Sequence, residues 1–181
     1  MTSTRASSSS SSTPTSSASS AAATDDLVVS PLADDRDAEA FRTLNEQWIV
    51  ELFALEPADV ATLGDPRGRI VDRGGVVLMA RRGGRVVGTV ALIADASGDV
   101  FELSKMAVAP SERGRGAGRR LITAAIEEAR QRGALRVFLG SSTKLPAAVG
   151  LYESVGFEHV PASELGLPYV RADVFMRLEL G

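Results

Sequence analysis

Residues 108–121 read Val-Ala-Pro-Ser-Glu-Arg-Gly-Arg-Gly-Ala-Gly-Arg-Arg-Leu, a strand end, a short turn and a helix start. Gly114, Gly116 and Gly118 let the backbone approach a ligand closely, because no Cβ stands in the way. The first turn of the following helix offers unpaired N–H groups and the positive end of its dipole. Arg113, Arg115, Arg119 and Arg120 surround those donors with permanent positive charge. This pattern points to a phosphate-bearing ligand.

Working outward, the pattern on either side is that of an α/β domain. Leu27–Ser30 reads as an edge strand. Asp34 and Asp35 can cap a helix over Asp37–Leu55, with Phe41, Leu44, Trp48 and Leu52 at helical spacing. Pro57 suits the first turn of a shorter helix that closes near Gly64, and residues 64–75 read as a loop. Val76–Arg81 and Val86–Ala94 form a hairpin across Arg82-Gly83-Gly84-Arg85, and Asp99–Val108 adds a third strand. A helix follows from about Gly116 to Arg132, with Ile122, Ala125, Ile126 and Ala129 inward. Ala134–Leu139 reads as a buried strand, Pro146–Ser154 as a short helix, and Phe157–Val160 and Val170–Leu180 as strands. Hairpins first and one crossover later require a mixed sheet.

Composition excludes several functions. The chain has no cysteine, so disulfides, thiol nucleophiles and thiolate metal sites are ruled out. His159 is the single histidine, too few for a histidine-rich metal centre. A net charge of −3 gives no support for nucleic-acid binding, and no apolar run approaches the ~20 residues that span a bilayer. Residues 1–24 are almost wholly Ser, Thr and Ala, and the expectation is a disordered tail over residues 1–26 before one domain over 27–181. Arg5 is the tail's only basic residue, and no apolar signal region is present. A cytoplasmic protein is expected.

Three registers of the glycine-arginine turn compete. A dinucleotide fingerprint G-x-G-x-x-G would end on Leu121 or on Arg119, so both frames fail. A P-loop needs G-K-[ST], and Gly118-Arg119-Arg120 does not supply it. The pattern [RQ]-x-x-G-x-[GA] is met by Arg113, Gly116 and Gly118. With Met106-Ala107-Val108-Ala109-Pro110 before it and Leu151-Tyr152-Glu153-Ser154-Val155-Gly156-Phe157 after it, the chain resembles the GNAT superfamily of acyl-CoA-dependent N-acetyltransferases. The resemblance runs from about Leu27 to Leu180. A glycine-arginine surface turn with no ligand is the bland alternative.

The resemblance implies a mostly antiparallel mixed sheet, splayed between its fourth and fifth strands and flanked by helices. It implies acetyl-CoA as co-substrate, with no metal. The N–H groups of Gly114, Arg115, Gly116, Ala117, Gly118 and Arg119 would hold the pyrophosphate, with the arginines of the turn, Arg113 among them, assisting. The pantetheine arm would lie in the splay and bond the strand carrying Met106, Ala107 and Val108 as an added strand would.

Acetyl transfer to an amine needs a base, an oxyanion donor and a proton for the leaving thiolate. By the resemblance Tyr152 is that proton donor, with core packing as its other reading. Glu102 stands where some relatives place the base, and strand alternation predicts that it shares a face with Ser104 and Met106. A solvated or amine-recognising carboxylate is the alternative. The oxyanion donor is expected to be a main-chain N–H near Ala107–Val108.

One position departs from the family's habit, which often places Asn where Leu145 stands; Ser142 and Lys144 are nearby polar replacements. His159 reads as structural or exposed, and Arg171 and Asp173 as acceptor-facing or solvated. Trp48, Glu51 and Glu56 lie on the segment that walls the acceptor in that fold.

The expected reaction is direct transfer to a primary amine of a small molecule in a ternary complex. A homodimer is left open, and no nucleic-acid or membrane partner is expected. The alternative from another class is a non-catalytic acyl-CoA sensor or partner-binding module. Transfer of a longer acyl chain is a third reading.

Overall fold

The computed structural model describes Met1, residues 26–165 and residues 170–181. The tail expected to be disordered falls almost wholly outside the described residues. Among the described residues seven strands form one sheet: β1 Leu27–Pro31, β2 Val76–Arg82, β3 Arg85–Ala94, β4 Val100–Val108, β5 Arg136–Ser141, β6 Glu158–His159 and β7 Val174–Glu179. Five α-helices among the described residues accompany it: α1 Asp35–Leu52, α2 Pro57–Gly64, α3 Pro66–Arg69, α4 Ala117–Gln131 and α5 Pro146–Ser154. The strand order is β1-β2-β3-β4-β5-β7-β6. Among neighbouring strands only β4 and β5 run parallel, joined by the crossover helix α4. The expectation of one crossover is corrected, because β5 leads through α5 to β6 at the edge and β7 inserts between them. Among the described residues no helix is long and apolar enough to cross a membrane.

Two apolar clusters cover the two faces of the sheet. α4 buries Ala117, Leu121, Ile122, Ala125, Ile126 and Ala129 on one of them, a stripe at helical spacing. Tyr152 and Phe157 belong to the same cluster. On the other face α1 buries Asp37, Phe41, Asn45 and Ile49, a stripe one position off the expected Leu44-Trp48-Leu52 series. The polar members explain the offset. The Arg81 guanidinium donates to both oxygens of Asp37 at 2.6 Å, and Asn45 Nδ2 donates to Thr89 Oγ1 at 3.2 Å. Pairing lets a polar side chain take a core position while Leu52 stays exposed.

Three local expectations are corrected. α1 starts at Asp35, because Asp34 caps it by accepting from the Asp37 N–H at 3.0 Å, and it stops at Leu52. Residues 64–75 are not a plain loop. Asp65 accepts from the Gly68 N–H at 2.9 Å and Pro66 opens α3, which brings Ile70 fully into the core. The last strand begins at Val174, and residues 170–173 form an irregular segment ahead of it.

Candidate functional site

β4 changes face halfway along its length. Phe101 and Leu103 pair with Ala94 and Leu92 and join the cluster beneath α4. Glu102 and Ser104 pair with Ile93 and Ala91, on the face covered by α1. The register then shifts between Thr89 and Ala91, so Val90 alone faces both Lys105 and Met106. Such a bulge inserts one residue and reverses the alternation beyond it. Lys105 and Ala107 therefore join the α1 face, where Lys105 reaches Asp59 of α2, while Met106 and Val108 approach Gly118 of α4. The expectation that Glu102, Ser104 and Met106 share a face is corrected by this bulge.

Beside the bulge the sheet is open. β4 pairs with β5 only from Val100↔Arg136 to Glu102↔Phe138, although β5 continues to Ser141 against β7. The Ala109 N–H donates to Val87 O at 2.9 Å, so the main-chain groups of Val108 point the other way, toward the open edge. A cavity of about 600 Å³ fills this opening. It runs from Arg113, Gly114 and Gly118 at one end to Trp48, Glu51 and Arg171 at the other.

At the first end Gly114 and Gly116 have φ of 74° and 84°, the left-handed region that favours glycine. A Cβ at either would meet open space, so the concavity is free for a ligand. At Gly118 a Cβ would lie 3.2 Å from the Leu151 side chain, and its hydrogen lets α4 sit against α5. Gly116 is the N-cap of α4 and no side chain caps that helix, which leaves its first-turn amides to a ligand.

The arginines divide. Arg113 lines the cavity, Arg115 donates to Glu112 Oε1 at 2.8 Å, and Arg119 donates to Ser154 Oγ at 2.9 Å. Arg115, Gly116, Ala117 and Arg119 do not line the cavity; Ala117 turns its methyl into the core and only its main chain belongs to the turn. Ser141 Oγ is buried without a hydrogen-bond partner among the described residues, on a residue that lines the cavity. An orphaned hydroxyl and an uncapped glycine cradle fit a polar chain with a phosphate at its end, as acetyl-CoA has.

Midway, Met106 meets Tyr152. The phenol lies 3.9 Å from Met106 Sδ, a weak contact, and its ring packs 6.0 Å from Phe157. Burial pushes the Tyr152 phenol up to about 12, so it keeps its proton near neutrality and has an O–H to donate. Glu102 lines the same cavity from the opposite face. Burial also raises its pKa, only partly offset by a Ser104 hydrogen bond and the Lys105 charge. A carboxylate held at a raised pKa is a better proton acceptor than an exposed one.

The other end is framed by three segments. Lys144 stands 5.1 Å over the Phe53 ring, joining the α5 approach to the end of α1. Asp173 accepts from the Thr143 N–H and hydroxyl, both at 2.7 Å, so it is a loop fastener off the strand. Glu51 and Trp48 line the cavity, whereas Glu56 is turned away to Arg171 at 3.0 Å. Leu145 lines it as the N-cap of α5, and Ser142 Oγ accepts from the Lys144 N–H at 3.3 Å. His159 is exposed and paired with Glu153 at 2.9 Å.

Sequence reasoning missed the ionic cluster at this end. Asp59, fully buried, takes Lys105 Nζ at 2.8 Å and two bonds from Arg171 at 2.6 and 2.8 Å. A lone Asp in a short helix carries no visible signal of such a role. Burial pushes Asp59 up, but Arg171 and Lys105 outweigh it, and its pKa falls from 3.8 to about 2. An acid group depressed by folding stabilises the protein above its unfolded value, and that contribution disappears as pH falls through the folded one. Stability should therefore decline between pH 4 and 2, less steeply in Asp59→Asn, as thermal melts along a pH series will show.

Comparison with known proteins bears on the fold and the family. The family model described as the acetyltransferase (GNAT) family matches residues 38–157. An uncharacterized N-acetyltransferase of Escherichia coli, YjgM, is 36% identical over 99 residues, 54% of this chain and 59% of that protein. The chain thus spans little more than half the length of that relative. An IAA acetyltransferase of Azospirillum brasilense is 35% identical over 115 residues, 62% of this chain and 71% of the relative. A GNAT-family acetyltransferase structure from Staphylococcus aureus superposes with a TM-score of 0.78 at 18% identity, covering 86% of this chain and all of the other. A Salmonella typhimurium structure, yncA with its cofactor acetyl-CoA, gives 0.66 at 23% identity over 86% and 94% of the two chains. With a family model spanning more than half of its residues, the chain belongs to the GNAT family of acetyltransferases.

Proposed function

We propose that the protein moves the acetyl group of acetyl-CoA to the primary amine of a small molecule, by direct attack within a ternary complex. The observation that carries this is one cavity between β4 and β5, with an uncapped glycine turn at one end and Glu102 opposite Tyr152 in its middle. The α4 amides and Arg113 hold the pyrophosphate. The main-chain groups of the open β4 edge bond the pantetheine arm and polarise the thioester carbonyl, as oxyanion donors do.

Glu102 takes the ammonium proton, and Tyr152 supports the departing thiolate. A free thiol ionises near about 8.5, well below this phenol at about 12, so Tyr152 stabilises the thiolate chiefly by donating a hydrogen bond. A cavity of about 600 Å³, part of it needed by the pantetheine arm, suits a compact acceptor. A cytoplasmic setting fits the donor's chemistry, since acetyl-CoA is an intracellular thioester.

The test is an amine library screened with acetyl-CoA for release of free coenzyme A. Amine-dependent release is expected; acetyl-CoA binding with no release across the library would make the protein a sensor. Glu102→Gln should lower kcat about 10²-fold. Because burial raises its pKa, activity in the parent should fall with acidification at a higher pH than an ordinary glutamate would dictate. The kcat/KM profile should lose that acidic limb in Glu102→Gln. An unchanged kcat with a raised KM for the amine would make Glu102 a recognition residue.

A further inference from the structure

Lys105 sits where a lysine has two reasons not to be. Its φ of 51° is the only positive value on a non-glycine residue among the described residues. That left-handed conformation brings Cβ against the following carbonyl. Its side chain is also 2% exposed, which withdraws an ammonium from water. The surroundings offset both. Asp59 accepts from Nζ at 2.8 Å, and Thr89 Oγ1 donates to the Lys105 carbonyl at 3.4 Å while accepting from Asn45 at 3.2 Å. Asp59 is itself fixed, because its carboxylate accepts from the Glu56 N–H at 3.0 Å in a capping box that starts α2. The residue that reverses the facing of β4 is thus held at both ends.

Arg171 extends the arrangement. Its guanidinium bonds both Asp59 oxygens and Glu56, which anchors residues 170–173 at the acceptor end of the cavity to the same carboxylate. An ion pair serving stability alone could stand anywhere in the core. This one stands on the residue that decides which way Met106 and Val108 point.

We propose that Lys105 is a positioning residue. Asp59 and Thr89 hold the β4 bulge in its left-handed turn, and the bulge aims the main-chain groups of Met106 and Val108 at the donor thioester. Without that hold β4 can slip toward regular pairing, and a one-residue slip turns every group beyond it to the wrong side. This inference rests on acetyl-CoA being the donor.

The test reads the thioester carbonyl directly, with no acceptor required. [1-13C]acetyl-CoA is bound to the full chain and its carbonyl resonance is compared with that of the free ligand, while calorimetry gives Kd. In the parent protein the resonance should move downfield as main-chain donors polarise the carbonyl. Lys105→Ala should lose most of that displacement while Kd changes by about threefold or less. Lys105→Gly, which accepts this φ without strain, should keep about half of it, against the order that side-chain similarity would give. Asp59→Asn leaves β4 unaltered in sequence and should also reduce the displacement. Asp59→Asn and Lys105→Gly together carry the test if Lys105→Ala does not fold.

A parent-like carbonyl in Lys105→Ala and Asp59→Asn, or equal loss in the Ala and Gly variants, would overturn the inference. So would a parent protein that binds acetyl-CoA with no displacement. A parent that binds no acetyl-CoA removes the donor assignment itself, a separate failure read in the calorimeter.

Discussion

Gly116→Val is expected to fold and to bind acetyl-CoA about 100-fold more weakly than the parent, a loss of about 2.7 kcal/mol. The N-cap of α4 has φ 84°, and a β-branched residue there faces backbone strain of ~1–3 kcal/mol. No neighbouring atom lies within 4 Å of the new Cβ, so the core is not disturbed and the damage stays local. That damage falls on the ligand. The strain is relieved by rotating the first α4 amides, and the side chain occupies the concavity they enclose. Calorimetry with acetyl-CoA measures the loss, and S-acetylpantetheine, which lacks the pyrophosphate, serves as control. The two proteins should bind the truncated donor equally. An acetyl-CoA affinity within twofold of the parent's would place the pyrophosphate elsewhere.

Tyr152→Phe should reduce kcat about 10²-fold while leaving acetyl-CoA affinity within about twofold. Phenylalanine keeps the ring, its packing on Phe157 and its place in the cluster under α4. It removes only a hydroxyl whose partner within the protein is the weak 3.9 Å contact to Met106 Sδ. Little stability is at stake, so a change in turnover reports on chemistry. The dependence on leaving group sharpens this. With a donor whose thiol is more acidic, the parent and Tyr152→Phe should converge, because a better leaving group needs less help. Equal losses in kcat and affinity, with a lowered melting temperature, would instead make Tyr152 a packing residue.

What could be read beforehand follows the range of the interactions involved. The glycine turn, the stripe on α4 and the hairpin meander depend on neighbours a few residues apart, and a linear pattern records those. The stripe on α1 was misread because Asp37 and Asn45 are inside. Their partners Arg81 and Thr89 lie 44 residues away in each case, and polarity in a pattern is taken for exposure until such a partner is known. The bulge at Lys105 was invisible for a similar reason. Strand alternation is local, but one strand's register against another is not, and only Val90 lying opposite two residues reveals the change of face. Hence Glu102 could be chosen as a candidate base while its relation to Met106 was wrong. The Asp59–Lys105–Arg171 cluster joins three distant segments by charge alone, and no spacing rule encodes it.

The short pairing between β4 and β5 has a consequence for how such a protein can change. Three residue pairs hold the strands together, and beyond Glu102 the open edge offers a ligand main chain. Every amino acid but proline carries the same N–H and C=O. Substitutions along that edge are therefore tolerated so long as the strands stay apart and the bulge keeps its place. The segments framing the far end, at the close of α1, before α5 and before β7, lie outside the strands of the sheet. A lineage can thus rewrite its choice of acceptor there while its grip on the donor persists through wide drift in sequence.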